Sequence, residues 1–228
     1  MSAQIPLALR FEPDHELRAF HGNPELVDLL GAVALDQRKD WVFLAGPAGS
    51  GKSHLLLGAC ALARGAGLDA SYLPLATLAG RLVEALKGQE RAALFCLDGL
   101  DAIAGDREDE VALFHFHNAA RAAGARVVYA ARSMPAALPL VLPDLRSRLE
   151  QCTRIAVEPL NESRRRDVLR ERAARRGLEL DDAVLDWLFR RVGRDLATLS
   201  KLLDRLDKES LAAQRRITVP FLREKIGS

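Results

Sequence analysis

Short apolar runs alternate with amphipathic stretches through the first two thirds of the chain, and then the runs stop. They fall at 41–45, 70–73, 93–97, 126–131 and 153–157, and most lack any apolar/polar alternation. Runs of this kind predict strands covered on both faces. Between them the spacing predicts helices at 52–63, 77–86 and 108–123, and a short one at 144–149. Strand and helix in alternation, joined by right-handed crossovers, predict α/β architecture: a three-layer fold on a parallel sheet.

The two flanks read differently. Residues 1–22 look extended and irregular, with Pro6 and Pro13 and no sustained period. Asn23 then caps a helix that has Pro24 in its first turn and Leu26, Leu29, Leu30 and Val33 on one stripe. The polar stretch 36–40 is a connector. Beyond Pro159 the pattern is helical throughout: 161–176, stopped by Gly177; 183–192, with Val184, Trp187, Leu188 and Val192 on one face; and 195–213, with Leu196, Leu199, Leu202, Leu203 and Leu206 at helical spacing. Thr218 caps a last short helix with Pro220 in its first turn. The expected organisation is an N-terminal segment at 1–22, an α/β core at 23–159 and an all-helical domain at 160–228.

Composition narrows the setting. With 228 residues, 49% hydrophobic and 28% charged, the chain suits one globular domain with a small second one. No apolar stretch approaches the ~20 residues that cross a bilayer. Residues 1–11 hold one basic residue and no apolar core with a cleavage site, unlike a secretory signal. Cys60, Cys96 and Cys152 are far apart and odd in number, which argues against a disulfide framework or a zinc site and for a reducing cytoplasm. The net charge of +2 hides an asymmetry, since 17 Lys and Arg face 12 Asp and Glu from Asn161 onward. A basic end can meet nucleic acid or an acidic partner; the plainer expectation is a solvated helical face.

Chemistry concentrates at Gly46-Pro47-Ala48-Gly49-Ser50-Gly51-Lys52-Ser53, directly after a predicted strand and opening a helix. Glycines let backbone N–H groups curl around phosphates, and the helix turns its positive end toward them. The loop from Gly46 through Ala48, Gly49, Ser50 and Gly51, with Lys52, Ser53 and His54, is therefore the expected binding site for ATP or ADP. Lys52 supplies a mobile cation to the β and γ phosphates, and the Ser53 hydroxyl completes a Mg²⁺ shell. Asp98 ends the apolar run 93–97, where the Mg²⁺ on a nucleotide needs a carboxylate.

The order of these parts, with a helical domain after them, resembles the AAA+ ATPases and more narrowly the DnaA initiator family. The likeness spans nearly the whole chain. Its most telling stretches are Leu97-Asp98-Gly99-Leu100-Asp101-Ala102-Ile103-Ala104-Gly105-Asp106, Leu142-Pro143-Asp144-Leu145-Arg146-Ser147-Arg148-Leu149, and Ala212-Ala213-Gln214-Arg215-Arg216-Ile217-Thr218-Val219-Pro220-Phe221. DnaA continues into a DNA-binding helix-turn-helix domain; this chain is expected to lack one. The resemblance implies a P-loop AAA+ core with a helical lid. It implies that Arg148 is an arginine finger for a neighbouring subunit's nucleotide, alongside catalytic Lys52 and Asp98. Arg194 matches the lid's sensor arginine, with Arg190 and Arg191 as alternatives. Gln4, Leu7 and Leu9 look like the short peptide motif by which bacterial proteins bind the sliding clamp of DNA polymerase (its β subunit), an extended segment reading pockets.

These likenesses imply a cytoplasmic, nucleotide-dependent negative regulator of replication initiation. It would bind ADP or ATP with Mg²⁺, take DnaA and the clamp as partners, reach DNA through the clamp, form a homo-oligomer in one possible assembly, and use no membrane. Two departures imply slow hydrolysis by the chain alone. Gly99 stands where active relatives carry the acid that orients water, with Asp101 three residues on. The run 126–131 ends in alanines, leaving Arg132 and Ser133 as the nearest sensor candidates. The rival readings are an autonomous motor or helicase loader and a small-molecule P-loop kinase. His115 and His117, on opposite sides of a helix, do not make a metal site. Phe20-His21-Gly22-Asn23 falls where the family closes over adenine, and core packing accounts for the aromatic equally well. Asn161-Glu162-Ser163 reads as a helix start.

Overall fold

A computed structural model describes residues 16–87, 92–192, 196–213 and 215–227. Strands β1 (Val42–Ala45), β2 (Ala70–Pro74), β3 (Leu94–Asp98), β4 (Arg126–Ala131) and β5 (Thr153–Ala156) form one sheet. Its order is β2-β3-β4-β1-β5, and every neighbouring pair is parallel. Every residue of β1 and β4 is buried, as the mainly apolar runs predict, including Arg126 at the start of β4. β5 departs from that expectation: it is an edge strand and mostly exposed. Its residues, Thr153-Arg154-Ile155-Ala156, are polar enough to face water.

Side chains alternate across the sheet and build two core layers. Phe43, Phe95, Leu97, Val127 and Tyr129 pack with α3 (Leu82–Leu86), α4 (Arg107–Ala122) and α5 (Pro143–Glu150). Val42, Leu44, Cys96, Val128 and Ala130 pack with α1 (Pro24–Ala34) and α2 (Lys52–Gly65) on the other face. This is the three-layer parallel architecture that the sequence predicts.

One predicted helix is broken. In place of a helix over 77–86 the chain forms a 3-10 turn, Leu75–Thr77, and then the short α3, separated by Gly80 at φ +73°. The cause lies across the interface. The buried Asp109 carboxylate accepts the N–H groups of Gly80 (2.7 Å) and Leu82 (3.2 Å), donors that a continuous helix would direct to its own carbonyls. Before the first helix, the described residues of the N-terminal segment include a 3-10 turn at Leu17–Ala19, where an extended path was expected.

Residues 159–228 form a second compact unit. Its helices are α6 (Glu162–Arg175), α7 (Asp182–Arg191), α8 (Leu196–Ala213) and α9 (Val219–Ile226). Leu169, Val184, Leu188, Leu203, Leu206 and Phe221 form its core, the faces that the helical spacing picks out. Side-chain caps start three of these helices: Asn161 accepts from Arg164 N–H, Asp181 from Val184 N–H and Thr218 from Phe221 N–H. The unit's arginines are largely spent within it. Arg166 pairs with Asp186, Arg176 with Asp204, Arg205 with Glu209 and Arg215 with Glu224. Several of these pairs are solvent-exposed, as on a solvated helical face.

Candidate nucleotide site

The phosphate-loop residues follow the C-terminal end of β1 and lead into α2. Gly46 cannot be replaced without moving backbone: a Cβ there would lie 2.2 Å from the Val157 carbonyl oxygen beyond β5. Gly51, at φ +94°, is the N-cap of α2, so the chain turns into the helix through a left-handed residue. Ser50 is buried beneath the loop. The Lys52 ammonium donates to the carbonyls of Gly46 (2.6 Å) and Pro47 (2.9 Å) and lies 3.3 Å from Ser50 Oγ. Burial holds Lys52 below the ordinary lysine value; Asp98 and Asp101 oppose that shift and Arg132 adds to it.

Ser53, one residue on, donates to Asp98 Oδ2 at 2.5 Å. The sheet register makes this pairing, because Asp98 is the last residue of β3, two strands from β1. The Tyr72 hydroxyl donates to the same oxygen at 2.7 Å. Burial, with the Asp98 charge beside it, raises the Tyr72 phenol well above its usual value and keeps it a donor. Among the described residues no cluster of three or more His, Cys, Asp or Glu side chains makes a self-contained metal cage. One hydroxyl and one carboxylate beside a phosphate loop suit Mg²⁺, which keeps waters and takes phosphate oxygens.

The positions expected to activate water are arranged differently. Gly99 is left-handed at φ +78°, and its N–H donates to the Ala130 carbonyl. The Asp101 carboxylate turns back to the end of β4, accepting the Arg132 N–H at 3.0 and 2.8 Å. It lies near enough to act on Lys52, and the Arg132 amide fixes its orientation. His54 approaches the Glu16 carbonyl at 3.1 Å and faces Phe20, ring to ring, at 6.2 Å. Phe20 in turn lies against the loop, 2.7 Å from where a Gly51 Cβ would stand. An aromatic ring therefore stands beside the phosphate loop, and the same ring also packs on the core.

Arg148 is elsewhere. It sits in the last turn of α5, which Gln151 and Cys152 join to β5. A cavity of about 490 Å³ beside it is lined by Trp41, Ala125 and Cys152, residues that immediately precede β1, β4 and β5. The phosphate loop follows the opposite end of β1. At about 3.3 Å per residue, even the four-residue β1 separates the two edges by roughly 13 Å. Arg148 and Arg146 also part company. Arg146 bonds the carbonyls of Ala136 (3.0 Å) and Leu140 (2.7 Å), whereas Arg148 makes no ion pair or side-chain hydrogen bond among the described residues. Gln4, Leu7, Leu9 and Arg194 lie outside the described residues.

His115 is exposed and His117 is buried, so the two share no site. Sequence reasoning did not single out Tyr72, whose position in an ordinary apolar run gives no sign of its bond to Asp98. It also passed over Glu110, a helix acid that is fully buried and bonded to backbone N–H groups.

Comparison with known proteins agrees with this geometry. Residues 162–226 match the family model described as the Hda lid domain. Among solved structures the chain is similar to the replication initiator DnaA bound to AMPPCP and single-stranded DNA, at 24% identity and a TM-score of 0.69. That match covers 90% of this chain and 69% of the other. It is also similar to domain III of DnaA from Thermotoga maritima, at 19% identity and a TM-score of 0.75, over 93% of this chain and 95% of that one. The Thermotoga maritima RuvB Holliday junction branch migration motor matches at 18% identity and a TM-score of 0.63, over 92% and 70%. At these identities the matches show the AAA+ fold, a five-stranded parallel core followed by a helical lid domain.

Proposed function

We propose that this chain, with an Hda-type lid and a DnaA-like AAA+ core, is a negative regulator of bacterial replication initiation that promotes hydrolysis of ATP held on DnaA. The observation that carries this reading is the separation of Arg148 from the phosphate loop of its own chain. A half-buried guanidinium without an ion-pair partner among the described residues, at the far edge of the sheet, is suited to a second molecule's nucleotide. In that position it adds positive charge where the γ-phosphate develops it, a contribution that reaches about 10³–10⁵ in rate for arginine fingers.

The chain's own nucleotide, ADP or ATP, would be held by the loop Gly46–Ser53, with Lys52 on the phosphates. Ser53 and Asp98 would hold Mg²⁺, which supplies charge neutralisation for the phosphate oxygens. His54 and the lid's Arg194 complete the expected contacts. Gly99 carries no side chain, and the Asp101 carboxylate is held toward the Arg132 N–H at the end of β4, which favours slow hydrolysis by the chain alone. The bound nucleotide therefore acts to set the protein's shape. Gln4, Leu7 and Leu9 tether the protein to the clamp, and DNA is reached through the clamp in the cytoplasm.

The alternative is an autonomous motor. Its support is the likeness to RuvB, which extends to the fold alone. The deciding experiment adds purified protein and clamp-loaded DNA to DnaA preloaded with labelled ATP. Conversion of the label to ADP only when protein, clamp and DNA are all present supports the regulator. Rapid turnover by the protein alone, without DnaA, supports the motor.

A further inference from the structure

Arg148 does not stand alone at its edge of the sheet. The same cavity is lined by Arg121, from the last turn of α4, and by Lys39, from the connector before β1. Lys39 is neutralised by Asp36 at 2.5 Å. Among the described residues Arg121, like Arg148, makes no ion pair and no side-chain hydrogen bond, and no carboxylate lines the cavity. Both guanidiniums act electrostatically on His117, which forms part of the wall. His117 is buried and neutral, with Nδ1 3.0 Å from the Tyr129 hydroxyl and Nε2 without a partner. Two unpaired guanidiniums converge on one cavity with no anion of the protein's own to balance them. Arg121 is exposed and Arg148 half-buried, so the cavity presents net positive charge to an anion arriving from solvent.

We infer that Arg121 is a second phosphate-contacting cation, which joins Arg148 in clamping the polyphosphate of a nucleotide bound to a neighbouring AAA+ subunit. The inference rests on the reading of Arg148 given above and extends it to a residue that no motif marks. Two planar forks on one phosphate chain can divide its oxygens, each offering paired donors, whereas a single fork leaves the chain free to pivot. Arg121 then raises the rate by holding the γ-phosphate in line, and its loss lowers the rate even when all DnaA is engaged.

The test is single-turnover hydrolysis of ATP preloaded on DnaA, with clamp-loaded DNA, titrated with the parent protein, Arg121→Ala, Arg121→Lys, Arg121→Glu and Arg148→Ala. The expected result is a maximal rate at least tenfold lower in Arg121→Ala, lower again in Arg121→Glu and partly restored in Arg121→Lys, with thermal stability unchanged. A maximal rate within twofold of the parent in Arg121→Ala and Arg121→Glu, while Arg148→Ala is inactive, overturns the inference and leaves the regulator intact. A change confined to the half-saturating concentration also overturns it, since Arg121 would then only dock the partner. Full activity of Arg148→Ala removes the regulator reading, and the inference with it. Trp41 lines the cavity and reports on a free ligand. If tripolyphosphate saturably changes its emission in Lys52→Ala/Trp187→Phe protein, Arg121→Glu abolishes that change and the rate is untouched, the cavity serves a free polyanion and the inference fails.

Discussion

The Glu110 carboxylate accepts the Leu142 N–H at 2.7 Å, across 32 positions of sequence, and so fixes the entry to α5. The same fully buried group accepts from Val141 N–H at 3.0 Å and from Gly105 N–H at 2.7 Å. Leu142 is the N-cap of α5 and has no capping side chain of its own, so an acid from α4 takes that part. Arg148 rides on the helix this arrangement starts. Glu110→Ala removes the shared acceptor of three backbone donors, at the exposed Gly105 and Val141 and the half-buried Leu142, and is expected to cost roughly 1–3 kcal/mol in urea unfolding. Glu110→Gln should cost less, yet lower the stimulation of hydrolysis on DnaA more than it lowers nucleotide affinity. Wild-type unfolding of the alanine variant would contradict the role given to Glu110.

The phosphate loop makes a second prediction. Lys52→Ala should abolish binding of ADP and ATP in calorimetric titration, because it removes the mobile cation of the loop. Tyr72→Phe removes one donor to Asp98 and leaves Ser53 in place, so a loss of roughly 1 kcal/mol in affinity is expected. Near-parental affinity in Lys52→Ala would refute the assignment of the loop.

Much of this was legible in the sequence, for identifiable physical reasons. The central strands announce themselves because burial on both faces favours apolar residues, with the buried Arg126 at the start of β4 bonded to backbone carbonyls, and the loop because few residue types can curl around phosphates. The caps Asn23, Asn161 and Thr218 are legible for the same local reason. What depends on distant partners was not. The break at Gly80 is caused by Asp109, 29 positions away, and the start of α5 by Glu110, 32 positions before Leu142. No pattern in α4 distinguishes those acids from its solvated ones. Arg146 and Arg148 look equivalent in sequence, and only the carbonyls of Ala136 and Leu140 separate them.

Acid should destabilise the core through His117. Burial pushes its imidazole down from 6.5 to about 4, with repulsion from Arg148 and Arg121 adding to the shift. Between those values the unfolded chain binds the proton and the folded protein does not, so stability falls as pH drops from about 6.5 toward 4. Denaturant unfolding at pH 7 and pH 4.5 measures the loss, and His117→Gln should show a smaller one. Equal pH dependence in parent and variant would contradict a neutral buried imidazole.

The N-terminal motif makes a prediction independent of the core. Changing Gln4, Leu7 and Leu9 together to alanine should remove binding to immobilised clamp while leaving ADP affinity unchanged. Undiminished clamp binding would show that the motif is accidental and the tether lies elsewhere.

The central claim is that Arg148 acts on a nucleotide held by another molecule, and single-turnover hydrolysis of labelled ATP on DnaA, with clamp-loaded DNA, tests it most directly. The account predicts that Arg148→Ala binds its own nucleotide and the clamp normally yet fails to stimulate hydrolysis. Arg148→Lys should rescue poorly, since a point charge lacks the fork of a guanidinium. Turnover by the parent without DnaA should stay slow, with Gly99 and Ala130 at the water-orienting and sensor positions. Full stimulation of hydrolysis by Arg148→Ala would contradict the account.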